Sequence, residues 1–409
     1  MNPLARSTHC RCCNSPHLQE LVDFGLQPLA GNFPLVPERL EPCRRYPLDL
    51  SICRDCGLLQ VTHLPPIGEV FHADYRYSSS TVPGLVRHFT AYADWLRSRL
   101  PASARVLEFG CNDGVLLAQL AQHGFACVGV DASENVAVLA RSRGLDVRTG
   151  FFTPEFVETQ RLDAAFDLVT CSNVFAHIHD VRSCARAART TLAAGGQFCV
   201  EVHNGSSIFD ENQFDTVYHE HLTYYTDRTL SDLLEREGFE VEEVGRTSMH
   251  GDGLRVRARR SERADPQHAP DTTRALPDFT TAGRKVNDAI AQSAAAVRRL
   301  RQQHGTLQAF GAAGRSQMFL NFTGTADCFD VVYDDSELRQ GRYIAGSDLP
   351  IRPYKGETGT CCVILAWNYA SDIAARPSVR FRCAPLRKPR WTGRDTDPGE
   401  GSAASCTCS

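Results

Sequence analysis

Lysine is almost missing from this chain: of its 44 basic residues, only Lys285, Lys355 and Lys388 are lysines. Against those 44 stand 48 acidic residues, so the net charge is −4 over 409 residues. No surplus of either sign points to nucleic acid or a membrane surface, and no basic stretch is interleaved with aromatics. Long apolar runs are lacking too. No stretch of about 18 apolar residues occurs, and the opening MNPLARSTHC has no signal-peptide core. These absences leave small molecules as the expected partners, with no nucleic acid and no membrane. The expectation is a cytoplasmic protein, a monomer or weak homo-oligomer, long enough for two or three domains.

Cysteine, by contrast, is plentiful, at 17 residues. Most stand singly in apolar segments (Cys127, Cys171, Cys199), where free thiols behave as small hydrophobes. Four are different. Cys10 and Cys13, then Cys53 and Cys56, form two CxxC hooks in a short polar region too poor in apolar residues for a core of its own. The spacing suits a four-cysteine zinc site, closed and therefore structural. Reduced thiols or a redox pair are the alternatives, and Cys12 competes with its neighbours as a ligand on spacing alone.

From about residue 84 to 260, short apolar runs alternate with helical patterns, which predicts a doubly wound parallel sheet with crossover helices. The run VLEFGCNDGVLL (106–117) predicts a strand, a glycine turn and a helix; ACVGVDAS (126–133) predicts a second strand ending at Asp131, placed for ribose hydroxyls. FDLVTCSNVFAHI (166–178) and GGQFCVEVHN (195–204) predict two more strands. The turn has Glu108, Gly110 and Gly114 in an ExGxxxG pattern, unlike the GxGxxG of pyrophosphate binders. With Asp131, this resembles the class I S-adenosylmethionine methyltransferases; another nucleotide on a Rossmann-like fold is the alternative. The resemblance makes Glu108, Gly110, Asn112, Gly114, Asp131 and Asn173 the candidate cofactor contacts.

Further on, QFDTVYHEHLTYYTD (213–227) crowds His219, Glu220 and His221 between Tyr218 and Tyr224. A charged, proline-bearing segment at 261–278 predicts a linker. One long helix ending at Gly305 and a second strand, glycine turn and helix (LQAFGAAGRSQMFLNF, 307–322) follow. This predicts a smaller Rossmann-like unit with a second crevice at its strand ends. The tail from 376 is polar and predicts disorder.

Taken in order, the two hooks, LVDFGLQPLAGNF, DYRYSSS, VLEFGCNDG, NVFAHI, FDTVYHEHLTYY, FGAAGRSQMFLNF, DDSELRQGRYIAGSDLPI and LAWNY resemble the sugar-nucleotide C-methyltransferases that act on thymidine-diphosphate 4-keto-deoxysugars. The resemblance spans roughly residues 8 to 373. It implies an α/β protein: a small N-terminal zinc-binding domain (1–75), a class I methyltransferase domain (76–260) and a C-terminal Rossmann-like α/β domain (279–375) that helps hold the sugar nucleotide. It implies S-adenosylmethionine and structural Zn2+ as cofactors. Carbon methylation needs a base and an enolate stabiliser. The motifs make His221 the base, with Tyr218, Glu220 and His177 beside it, and Tyr75, Tyr77, His250, Arg255 and Arg315 as candidate substrate contacts. Two turns depart from the family pattern: His250-Gly-Asp-Gly-Leu-Arg255 carries an added carboxylate, and Ala313-Gly-Arg315 stands where Ala-Lys-Gly-Asn is usual. An O- or N-methyltransferase, or an inactive sugar-nucleotide-binding homologue, are the competing functions.

Overall fold

In a computed structural model, residues 5–66, 69, 79–261, 281–356, 361–370, 373 and 382–384 are described. Tyr75, Tyr77, the 262–278 part of the expected linker and most of the tail expected to be disordered from 376 lie outside them; within that tail Arg382–Ala384 is a strand, which corrects the expectation there.

The central unit is a seven-stranded sheet in the order Val147–Thr149, Ala126–Asp131, Arg105–Phe109, Phe166–Ser172, Leu192–His203, Gly253–Arg260, Phe239–Thr247. The first five are parallel, and Gly253–Arg260 runs antiparallel between its two neighbours. Strand order reverses between Arg105–Phe109 and Phe166–Ser172, the switch point at which an open α/β sheet offers its crevice. Glu108, the glycine turn and Asn173 sit at the carboxyl ends of those two strands.

The zinc region builds a sheet the sequence did not announce. Leu18–Pro28 and Arg45–Cys53 pair antiparallel, Leu59–Gln60 joins them, and Thr223–Tyr224 of the central unit completes a fourth strand. Its apolar residues enter two shared cores. Cys10, Cys12, Cys53, Cys56 and Leu58 pack into the central unit with Leu107, Phe109 and Tyr225. Val22, Leu48, Leu50 and Ile52 pack instead with Val286, Val297, Phe319 and Phe214. Burial of this kind is worth about 25 cal/mol per Å2 of apolar area, so the zinc unit holds its neighbours together as much as they hold it. Gly283, in the first turn of the helix Ala282–His304, permits the tightest of these contacts: a Cβ there would lie 2.1 Å from the Leu21 carbonyl oxygen.

The long helix ends at Gly305, whose φ of +72° stops it as expected. A five-stranded parallel sheet follows in the order Ile351–Arg352, Val331–Tyr333, Leu307–Phe310, Cys361–Ile364, Arg382–Ala384. Its own order reverses between Leu307–Phe310 and Cys361–Ile364. The glycine turn leading into the helix Gly314–Thr323 therefore faces Trp367 across that switch point.

Candidate active site

The cofactor turn is shaped by its glycines. Gly110 has φ +66°, and a Cβ there would lie 2.0 Å from Val174 Cγ2, so only glycine lets the turn rest on the segment after Asn173. Gly114 (φ +80°) opens the helix Val115–Gln122, and Asn112 takes φ +52° between them. The Asn112 and Ser133 amides donate to the Asp131 carboxylate, each at 2.8 Å. Burial raises the Asp131 pKa against those two bonds. Glu108 is buried, and burial followed by the Asp131 charge pushes its pKa well up. Its Oε2 lacks a hydrogen-bond partner among the described residues. An orphaned carboxyl oxygen beside a strand-end aspartate at the switch point fits a ligand with amino and ribose hydroxyl donors, and S-adenosylmethionine has both. Asn173, at φ +57°, turns the chain here and donates from Nδ2 to Met249 Sδ at 2.8 Å.

Four residues on, His177 reaches the loop that carries Tyr218, Glu220 and His221. Its Nδ1 donates to the Glu220 carbonyl at 2.7 Å, and its ring centroid lies 4.8 Å from that of His221. His221 is held at both nitrogens. Nδ1 donates to the Thr216 carbonyl at 2.9 Å, which leaves Nε2 as the acceptor for the Tyr218 hydroxyl at 2.8 Å. Burial, then the neighbouring His177, pushes the His221 pKa well below its ordinary value, so the ring is neutral with its basic nitrogen on Tyr218. Glu220 is raised to about 8 by burial. Its Oε2 is buried without a partner among the described residues, so the group is mainly a neutral acid at pH 7.

The loop is irregular between the 3-10 turn Phe214–Thr216 and the strand Thr223–Tyr224. A strand would have sent Glu220 and His221 to opposite faces. His219 leaves the cluster: its Nε2 donates to the Pro47 carbonyl at 3.1 Å, and burial takes it down to about 4. Tyr224 supports the loop from below, its hydroxyl donating to Thr216 O at 3.3 Å.

Arg255 is placed elsewhere than expected. It crosses the sheet to Glu201, its register partner, at 2.8 and 3.1 Å, with its guanidinium 3.9 Å above the Tyr92 ring. His88 also bonds Glu201, at 2.9 Å. The buried carboxylate claims the guanidinium. His250 (φ +51°) turns the 249–252 loop, and burial lowers it to about 3. Arg315 donates to the His250 carbonyl (2.8 Å), to Gln213 Oε1 (3.1 Å) and to Asp215 Oδ1 (2.9 Å). Asp215, Thr216 and Trp367 are thus parts of the site that residue type alone did not mark, although Asp215 and Thr216 lie inside the motif that did.

At the N-terminal unit, the Sγ atoms of Cys10, Cys13, Cys53 and Cys56 all lie within 4.8 Å of one another. Tetrahedral zinc with bonds of about 2.3 Å sets its sulfurs about 3.8 Å apart, and the Cys10–Cys56 and Cys13–Cys53 sulfurs each lie at 3.5 Å. Cys12 turns into the central core and is not in the cluster. Gly57 (φ +81°) and Asn14 (φ +60°) supply the left-handed turns that close the hooks.

Three family models match the chain in series: a zinc binding domain over residues 10–71, a methyltransferase domain over 84–244 and a C-methyltransferase C-terminal domain over 249–382. The C-methyltransferase NovU of Streptomyces niveus is 30% identical over 383 residues, covering 89% of this chain and 90% of its own length. A ubiquinone biosynthesis O-methyltransferase from Ralstonia nicotianae is 29% identical over 121 residues, 28% of this chain and 51% of that protein. Among solved structures, magnesium protoporphyrin IX methyltransferase from Synechocystis PCC 6803 with bound SAH is similar over 44% of this chain and 84% of its own, at 18% identity and a TM-score of 0.36. With three domain matches in series and a C-methyltransferase aligned over nearly its whole length, the chain belongs to the S-adenosylmethionine-dependent C-methyltransferases with an N-terminal zinc-binding domain.

Proposed function

We propose that this enzyme methylates the carbon beside the ketone of a thymidine-diphosphate 4-keto-deoxysugar, carbon 3 first and carbon 5 as the alternative, in the making of a natural product. The observation that carries the proposal is the neutral His221, its Nε2 lone pair directed at Tyr218 and its Nδ1–H anchored on Thr216. S-adenosylmethionine, when bound through Glu108, Gly110, Asn112, Gly114, Asp131 and Asn173, supplies an electrophilic methyl group. What the protein must add is a carbanion. His221 Nε2 takes the proton from the carbon next to the ketone. The Tyr218 hydroxyl, released from Nε2 by the arriving substrate, donates to the enolate oxygen, and the protonated Glu220 is a second donor. His177 holds the Glu220 backbone in place and borders the same space. The C-terminal unit joins this loop through Arg315 and Trp367, which donate to Asp215, and Arg315 also donates to the His250 carbonyl of the 249–252 loop.

The test is incubation with a thymidine-diphosphate 4-keto-2,6-dideoxyhexose in deuterium oxide, with and without S-adenosylmethionine. Deuterium entering beside the ketone without the cofactor, and a new C–CH3 singlet with it, support the proposal. An O- or N-methyltransferase needs no acidified C–H and gives no exchange; an inactive homologue binds both ligands without turnover.

A further inference from the structure

We infer that Arg315 and Trp367 of the C-terminal unit are positioning residues for the base, holding it through Asp215 instead of binding a ligand themselves. The inference rests on the assignment of His221 as that base. Asp215 is fully buried, and its two carboxylate oxygens are divided between the two residues. Oδ1 accepts from Arg315 Nη2 at 2.9 Å, and Oδ2 accepts from the Trp367 indole N–H at 2.9 Å. The next residue, Thr216, carries the carbonyl that fixes the His221 Nδ1–H. One peptide unit therefore separates the C-terminal latch from the hydrogen bond that sets which nitrogen of His221 is basic.

The place of the latch in its sheet adds a second argument. Arg315 follows the strand Leu307–Phe310, and Trp367 follows Cys361–Ile364, at the switch point where such a sheet ordinarily takes a ligand. At these two side chains the position is taken by the central unit. Arg315 lies 4.7 Å from the Trp367 ring centroid and donates to the His250 carbonyl. Gly251 (φ +98°) packs so closely that a Cβ would lie 2.5 Å from the indole ring. The sequence suggested a substrate contact for Arg315; here both terminal nitrogens are engaged inside the protein. Its positive charge also helps keep His221, His203 and His250 neutral.

The experiment compares full-length wild type with Trp367→Phe, Arg315→Lys, Arg315→Met and His221→Asn on the same 4-keto-2,6-dideoxyhexose nucleotide. It measures kcat, KM and the cofactor-free deuterium exchange rate, with S-adenosylmethionine affinity by calorimetry. Trp367→Phe keeps the aromatic ring and loses only the N–H donor. It is expected to lower kcat and the exchange rate about 10-fold, and Arg315→Met about 100-fold, with Arg315→Lys recovering part of that loss. KM and cofactor affinity stay within about 2-fold. A rise in KM at wild-type kcat would make these residues substrate contacts and overturn the latch, and so would wild-type kinetics in both Trp367→Phe and Arg315→Met. If His221→Asn keeps wild-type kcat and exchange, the base assignment itself falls, and the latch with it.

Discussion

Tyr218 and His221 lie tilted against each other, ring centroids 3.9 Å and planes 32° apart, with the tyrosine hydroxyl on the histidine's Nε2. Three residues apart in an irregular loop, they form a pair in which the resting donor sits on the proton acceptor. Removing the hydroxyl in Tyr218→Phe leaves the base free but the enolate oxygen short of a donor. The expected result is a fall in kcat of about 10- to 100-fold. A smaller fall in deuterium exchange than in methylation would not fit, because both pass through the same enolate.

The Glu220 carboxyl gives the alkaline limb. Burial raises it from its ordinary 4.5 to about 8, so an activity that uses it as a hydrogen-bond donor declines as pH rises through that value. The Glu220→Gln variant, which keeps a donor, is expected to lose this limb. Stability follows the same proton. Between about 4.5 and about 8 the folded protein holds a proton that the unfolded chain has released, so stability falls as pH rises across that window. Thermal melts at pH 6 and pH 8.5 are expected to show the wild type losing a few degrees more than Glu220→Gln.

Asp131 and Gly110 separate cofactor binding from chemistry. The Asp131→Asn variant is expected to weaken S-adenosylmethionine by about 10- to 100-fold, the cost of one charged hydrogen bond pair to a ribose. Gly110→Ala places its Cβ 2.0 Å from Val174 Cγ2 at a positive φ, so binding should be lost outright. Calorimetric titration of each purified variant checks both. Unchanged affinity in Gly110→Ala would mean that the turn is not where the cofactor lies.

The four-cysteine cluster should hold one zinc per chain, measurable by elemental analysis. A Cys53→Ser substitution, or extended chelation, is expected to lower the melting temperature by about 5 °C or more, since structural zinc contributes folding energy directly. Melting should be lost across the molecule and not in one small step, because the hooks and the strand Arg45–Cys53 belong to both large cores.

The hooks and the cofactor turn were legible because each is a local pattern whose spacing follows from its chemistry. The zinc-unit hairpin was not. The strand Arg45–Cys53 does alternate, Tyr46, Leu48, Leu50 and Ile52 against Pro47, Asp49 and Ser51, but its apolar face is completed by residues more than 200 positions further on, which no local pattern in a short polar region reveals. Arg255 was misjudged for a different reason. A six-residue motif names the arginine, but the partner that claims it, Glu201, comes from the neighbouring strand through register. The latch was the hardest to see: Arg315 and Trp367 stand 100 and 152 positions from Asp215, beyond any local pattern. Tyr75 and Tyr77 lie outside the described residues.

Leu222, the residue after His221, donates its amide to Ala176 of the central unit (2.8 Å) and accepts at its carbonyl from Val61 of the zinc unit (3.1 Å). Together with the latch at Asp215, this places His221, the proposed base, at a three-way junction to which every unit contributes a fastening. The consequence concerns assembly and module exchange. During synthesis, the cofactor sheet emerges well before residues 315 and 367, so the proposed latch closes only when the last unit has docked. A chimera that takes its C-terminal unit from another enzyme would inherit the cofactor but not a correctly seated base unless 213–216, 249–252, 315 and 367 travel together.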